Sequence, residues 1–185
     1  MKRPCPDKLL EICILAGGLS SRMGRDKSKL LLGGKPLLSH IRKTAKTLKV
    51  PVRIIRRDLV PRCGPLGGIY TALKTTSADA VLFLACDMPK ISCAVLESVI
   101  ECSRNGSDAI FTWNDGTAGF PFVLSGRALS TVEKLMGEKR FSLQHLARKL
   151  RAKKFRPSRV FQPDLLNVNT PSDWAKLKEI LPEKN

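Results

Sequence analysis

The sequence predicts an α/β fold, a three-layer α/β/α sandwich with a mostly parallel, Rossmann-like sheet between two layers of helices. Three observations predict it. The apolar runs "LLEICILA" (9–16) and "ADAVLFLA" (78–85) are short and lack polar alternation, as strands buried on both faces do. Segments with helical spacing separate the strands, and a parallel crossover needs a connection of that length. Polar and glycine-rich stretches then follow the runs where ligands bind such sheets, at the carboxyl ends of the strands.

The elements run in order. After the strand at 9–16 comes "GGLSSRMGRDKSKLLLGG", and then "KPLLSHIRKTAKTLK" (35–49), a helix with proline near its first turn and Leu37, Leu38, Ile41, Ala45 and Leu48 on one side. "VPVRIIRR" (50–57) reads as a strand, and "GPLGG" (64–68) opens a helix that continues through "IYTALKTT". The strand at 78–85 ends in "CDMPKIS", and a helix follows from Cys93 to about Ser103, with Ser92 as N-cap and Asn105-Gly106 as its stop. "SDAIFTW" and "GFPFVLS" are two strands joined by the polar turn "NDGT". Helices are expected over 127–136 and 142–150, then a strand-like "SRVFQ" (158–162) and the loop "DLLNVNT". Thr170-Pro171-Ser172-Asp173 is written as a capping box with proline at N1, so a last helix starts there.

A chain of 185 residues suits one domain with a proper core and is short for two, so residues 1–185 are expected as a single domain. With 43% hydrophobic and 26% charged residues the composition is that of a soluble globular protein. The net charge of +17 favours acidic partners such as nucleotides, nucleic acid or an acidic protein, and the cations are densest between Arg127 and Arg159. That cluster also reads simply as a soluble basic surface. The six cysteines form no CxxC pair, and with two histidines in the chain a Cys/His zinc site is not expected. Cys13 and Cys86 sit in apolar runs as small buried hydrophobes, which suits a reducing, cytoplasmic setting. The basic, apolar opening is interrupted by Glu11 and is not read as a signal peptide; no apolar run reaches the about 20 residues of a membrane span.

The chemistry is concentrated in two places. A glycine-rich turn after a first buried strand lets the backbone approach a ligand and aim its N–H groups at phosphate oxygens. This one is neither a GxxxxGK[ST] loop nor a GxGxxG fingerprint; Arg22, Arg25, Lys27 and Lys29 distinguish it, either as a solvated basic loop or as a cradle for a triphosphate. Asp87, just past the strand at 78–85, is placed to coordinate a hard cation such as Mg²⁺, or to cap a turn. No Ser/His/Asp arrangement is evident, and His40 and His145 are assigned no catalytic role.

"LAGGLSSRMGRDK", "GGKPLL", "GPLGG", "CDMP" and "NVNTP", in that order from about Ile12 to Trp174, resemble the molybdenum cofactor guanylyltransferases of the glycosyltransferase-A-like nucleotidyltransferase superfamily. The resemblance implies Mg²⁺-dependent transfer of GMP from GTP to the terminal phosphate of molybdopterin, giving molybdopterin guanine dinucleotide and pyrophosphate. It implies that Leu15, Ala16, Gly17 and Gly18 contact the nucleotide, that Lys27 binds its phosphates, and that Asp87 holds Mg²⁺; Arg22 of the same loop reads as a second phosphate contact. Asp58 matches the family's nucleotide-binding aspartate, and Asn167 and Asn169 fall on the molybdopterin side.

The chain departs from the family between its first helix and "GPLGG", where "VPVRIIRRDLVPRC" merges what is normally a further strand and helix. The fold is therefore expected to be shorter by about one strand-helix unit. The family's asparagine after the second strand has no counterpart; either a neighbour such as Arg56 or Arg57 substitutes for it, or nucleotide affinity is reduced. An acidic protein that delivers the cofactor would explain the excess charge. A cytidylyltransferase for the same pterin and a cobalamin-pathway guanylyltransferase are the nearest enzymes; "LAGG" rather than LAAG favours guanine over cytosine. A basic nucleic-acid-binding protein is the rival from another class, weakened by few aromatic residues for base stacking.

Overall fold

The computed structural model describes residues 9–17, 30–104, 106–114 and 116–180. A six-stranded sheet forms its centre, built from β1 (Leu10–Leu15), β4 (Val52–Ile55), β5 (Ala80–Ala85), β6 (Ala109–Asn114), β7 (Thr117–Ser125) and β8 (Lys153–Phe155) in the order β4-β1-β5-β7-β6-β8. Parallel pairing joins β1 to β4, β1 to β5 and β6 to β8, while β7 pairs antiparallel with both neighbours and is the strand that runs against the rest. A two-stranded hairpin, β2 (Leu31–Leu32) with β3 (Lys35–Pro36), stands apart from that sheet.

Alternation along β1 decides the layering. Cys13 and Leu15 face one side, where they pack with Val81 and Phe83 under α2 (Pro65–Thr75), α4 (Leu129–Gly137) and α5 (Leu143–Lys149). Ile12 and Ile14 face the other, with Leu82 and Leu84 under α1 (Leu37–Thr47) and α3 (Cys93–Arg104). Both faces of β1 and β5 are thereby dry, as their uninterrupted apolar runs require. Burial pushes the Cys13 thiol up to about 12, with Arg53 lowering it and Glu11 raising it less strongly. Phe122 stacks on Phe83 and Phe111, with ring centroids 4.9 and 4.5 Å away.

Several sequence expectations meet their elements closely: the strand at 78–85, the helix from Cys93, the hairpin over 107–125 and the capping box at Thr170, which opens α6 (Pro171–Ile180). Two differ. The expected strand over 158–162 is a 3-10 helix, Arg159–Leu165, with Pro163 inside it; the free edge of β6 is already paired with Lys153–Phe155. The sixth strand is instead Lys153–Phe155, whose consecutive lysines hide it from an apolar pattern but suit a sheet edge. The first helix also starts later, at Leu37, since Lys35–Pro36 belongs to the hairpin. β4 forms the other sheet edge and residues 56–64 lead from it directly into α2, so no additional strand-helix unit stands there.

A third, smaller core lies outside the two main layers. Leu32 of the hairpin, Leu37 of α1, Val168 and Leu177 of α6 are buried together, with Leu30, Leu166 and Trp174 against them. It joins α6 to the segment that follows the glycine-rich loop. No described helix is long and apolar enough to cross a membrane.

Candidate functional site

Three parallel strands end level with one another, Leu15 being paired with both Ile55 and Ala85. Their outgoing segments therefore leave the same sheet edge side by side. The Ala16 N–H donates to Ile55 O at 2.8 Å, and the Cys86 N–H donates to Leu15 O at 3.2 Å. Ala16 and Gly17 are thus flanked by Arg56–Asp58 on one side and by Cys86–Asp87 on the other.

Glycine is required at this junction for closeness. A Cβ on Gly17 would lie 3.0 Å from Arg56 O and 3.6 Å from Asp58 Oδ1. The Asp58 carboxylate also presses on the first turn of α2: a Cβ on Gly67 would stand 2.6 Å from Asp58 Oδ2, and one on Gly68 would stand 3.5 Å from Oδ1. Gly64, with φ 53°, turns the chain into that helix in a conformation that side chains resist. Next to Asp58, the Leu59 N–H donates to Thr71 Oγ1 at 2.9 Å and that hydroxyl donates to Gly67 O at 2.8 Å, so the loop is tied to α2. Desolvation raises the Asp58 carboxyl above its ordinary value.

On the opposite flank Asp87 is half-buried, with Oδ1 shut off from solvent. Its carbonyl accepts the Val168 N–H at 2.8 Å. This one bond brings the exposed Asn167 and the half-buried Asn169 to the mouth beside Asp87. Leu15, Ala16, Gly17, Asp58, Asp87, Asn167 and Asn169 therefore share one edge of the sheet. Gly18, Arg22 and Lys27, with Arg25 and Lys29, lie outside the described residues.

The histidines sit in local structure. His40 Nε2 is 2.9 Å from Leu32 O, bracing the hairpin, and His145 Nδ1 is 2.8 Å from the Ser142 hydroxyl that caps α5. Sequence reasoning missed Gly67, Gly68, Thr71 and Val168. The doubled glycine of "GPLGG" was a signal for close approach, whereas nothing local marks Val168.

A family model for the MobA-like NTP transferase domain matches residues 12–155. The chain belongs to the MobA-like NTP transferase family. Members of this family are nucleotidyltransferases, and so is this chain. A probable molybdenum cofactor guanylyltransferase of Methanothermobacter thermautotrophicus is 36% identical over 157 residues, covering 71% of this chain and 79% of the relative. The molybdenum cofactor guanylyltransferase of Syntrophotalea carbinolica is 31% identical over 184 residues, covering 88% of each. The fold is that of a molybdopterin-guanine dinucleotide biosynthesis protein A from Archaeoglobus fulgidus, with a TM-score of 0.74 at 22% identity over 92% of this chain and 97% of that one. In this MobA-like chain the matched region runs from within β1 to the end of β8, and the turn carrying Asn167 and Asn169 lies beyond it.

Proposed function

We propose that this protein transfers the guanylyl group of GTP to the terminal phosphate of molybdopterin. The observation that carries the reading is the shared edge: Leu15–Gly17 with Asp58, which we assign to the nucleotide, and the Asn167–Asn169 turn, which we assign to the acceptor, lie on either side of Asp87. An oxygen of the acceptor phosphate attacks the α-phosphorus of GTP, the bond from that phosphorus to the β-phosphate oxygen breaks, and pyrophosphate leaves with the bonding pair. The acceptor arrives ionised, so no protein nucleophile is needed, and catalysis consists of placement and charge neutralisation.

Gly17 admits the nucleotide backbone-close, and Asp58 accepts hydrogen bonds from the guanosine. Lys27 and Arg22 offset the charge of the phosphates. Asp87 suits Mg²⁺: one carboxylate is enough for a hard cation that completes its shell with phosphate oxygens and water, and no group of three His, Cys, Asp or Glu forms a denser site among the described residues. Bound there, the ion would supply further neutralisation of the triphosphate.

The test is incubation with molybdopterin, Mg²⁺ and each of the four nucleoside triphosphates in turn, following pyrophosphate release. GTP should react fastest by a wide margin. Equal rates with CTP would remove the guanine assignment.

The basic surface supports a further partner in this reading. Arg148, Lys149, Arg151, Lys153, Lys154, Arg156 and Arg159 are exposed, and no ion pair among the described residues engages them. The strip includes edge strand β8. An acidic protein that delivers molybdopterin fits there. Exchanging Lys153 and Lys154 for glutamate should weaken a delivery-dependent reaction while sparing the reaction with free molybdopterin; loss of duplex DNA binding alone would favour the nucleic-acid reading.

A further inference from the structure

The turn at 167–169 is held more firmly than a surface loop needs to be. Three successive backbone N–H groups are engaged: Val168 donates to Asp87 O at 2.8 Å, and Asn169 and Thr170 both donate to Asp173 Oδ2, at 3.0 and 2.8 Å. A capping box needs only the reciprocal pair between Thr170 and Asp173, which is complete here because the Asp173 N–H donates to Thr170 Oγ1 at 3.1 Å. The bond from Asn169 is extra. It lies outside the helix and reaches back into the acceptor-side turn.

We infer that Asp173 is a positioning residue for the acceptor: by accepting the Asn169 N–H, its carboxylate fixes the turn that aims Asn167 and Asn169 beside Asp87. The inference rests on the acceptor-side reading of that turn proposed above. Its mechanical basis is α6. Leu177 of that helix is buried with Val168, Leu32 and Leu37, so the helix is anchored to the segment that closes the glycine-rich loop. Asp173 connects this anchored helix to the turn, and the Val168 bond connects the turn to Asp87. The nucleotide side and the acceptor side therefore share one support.

The bonds are charge-assisted. Desolvation opposes ionisation of Asp173, but the Thr170 hydroxyl, the Asn169 and Thr170 N–H groups and the positive charge of Lys176 outweigh it and hold the carboxyl below its ordinary value. The carboxylate is thus ionised throughout the neutral range, and such bonds are shorter and stronger than neutral ones. Neutral Asp173→Asn retains the shape and loses the charge, Asp173→Ala loses both, and Asp173→Glu keeps a carboxylate at the position where capping boxes ordinarily carry glutamate.

The experiment compares these three variants of the full chain in steady-state kinetics, GTP binding and backbone amide exchange. Asp173→Ala should raise KM for molybdopterin by about 10- to 100-fold, as expected for a displaced positioning group, with GTP affinity within about twofold of wild type. Asp173→Asn should lie between, and Asp173→Glu should restore most of the loss. The Asn169 and Thr170 amides should exchange faster in Asp173→Ala and recover protection in Asp173→Glu. Unchanged acceptor KM overturns the inference, and so does a parallel loss of GTP affinity and rise in acceptor KM that tracks the melting temperature. A wild-type chain inactive with molybdopterin and every nucleotide would instead overturn the proposed reaction. Amide exchange separates the two failures, since unchanged protection at Asn169 and Thr170 in Asp173→Ala excludes the positioning role whatever the acceptor is.

Discussion

Gly67→Ala tests the tightest approach in the site. The added Cβ would lie 2.6 Å from Asp58 Oδ2 and 3.0 Å from both Asp58 Cγ and Val60 O. Ordinary contact begins at 3.4 Å, so the carboxylate must retreat by about 0.8 Å, the difference between 3.4 and 2.6. Alanine favours the helix by about 1 kcal/mol over glycine, and overpacking against the Val60 carbonyl costs about 1–3 kcal/mol. The fold should therefore lose roughly 0–2 kcal/mol, the difference of those two ranges. Function should suffer more, because displacing a positioned group by nearly 1 Å costs up to about 100-fold. We expect kcat/KM for GTP to fall about 10- to 100-fold, equivalent to ~1.4–2.7 kcal/mol of transition-state stabilisation. Pyrophosphate release against GTP concentration, alongside a thermal melt, reads both effects. Gly137→Ala is the control, since a Cβ at this last residue of α4 meets nothing within 4 Å; it should gain about 0.4–1 kcal/mol without altering kinetics. A Gly67→Ala enzyme with wild-type melting and kcat/KM for GTP within twofold would refute the idea that Asp58 is held there for the nucleotide.

The remaining predictions address Asp87, Asp58 and the core. Asp87→Asn should lower turnover at least about 100-fold with little change in the melt; near-normal turnover would remove that carboxylate from the mechanism. Burial raises the Asp58 carboxyl above its ordinary value. Its contribution to folding is fully present below the unfolded pKa near 3.9 and is lost as pH rises through the native value. Asp58→Asn should therefore flatten the decline in stability from acid toward neutral pH, measured by urea melts, while raising KM for GTP; an unchanged pH profile would argue that the carboxylate is solvated. Phe122→Ala removes a fully buried ring stacked on Phe83 and Phe111 and should cost about 3–5 kcal/mol in urea denaturation. A loss below about 1 kcal/mol would mean that the site collapses around the cavity.

Local patterns carried much of this architecture. An apolar run such as "AVLFLA" can be satisfied only by burial on two faces, and Thr170-Pro171-Ser172-Asp173 carries its own capping partners within one turn. The order of "LAGG", "GPLGG", "CDMP" and "NVNTP" identified the family before any contact was known. Pattern reading failed where the edge of the sheet broke it: Lys153–Phe155 pairs with β6 through backbone bonds that are indifferent to its lysine side chains, and with that edge taken residues 159–165 form a 3-10 helix. The contacts of the site were beyond it for a related reason.

By itself, then, the sequence determined most of the buried strands and the helices between them, where the last helix is capped, and that glycines and a lone carboxylate follow buried strands. These are properties of neighbours in the chain, set by side-chain period and backbone preference. Only the tertiary structure decided that Asp58 rests on Gly67, that Val168 donates to Asp87, and that Asp173 reaches beyond its own helix to Asn169. The second joins segments 81 positions apart in the chain, and the three depend on how the strands end level or on how α6 seats in its small core, which no local pattern encodes.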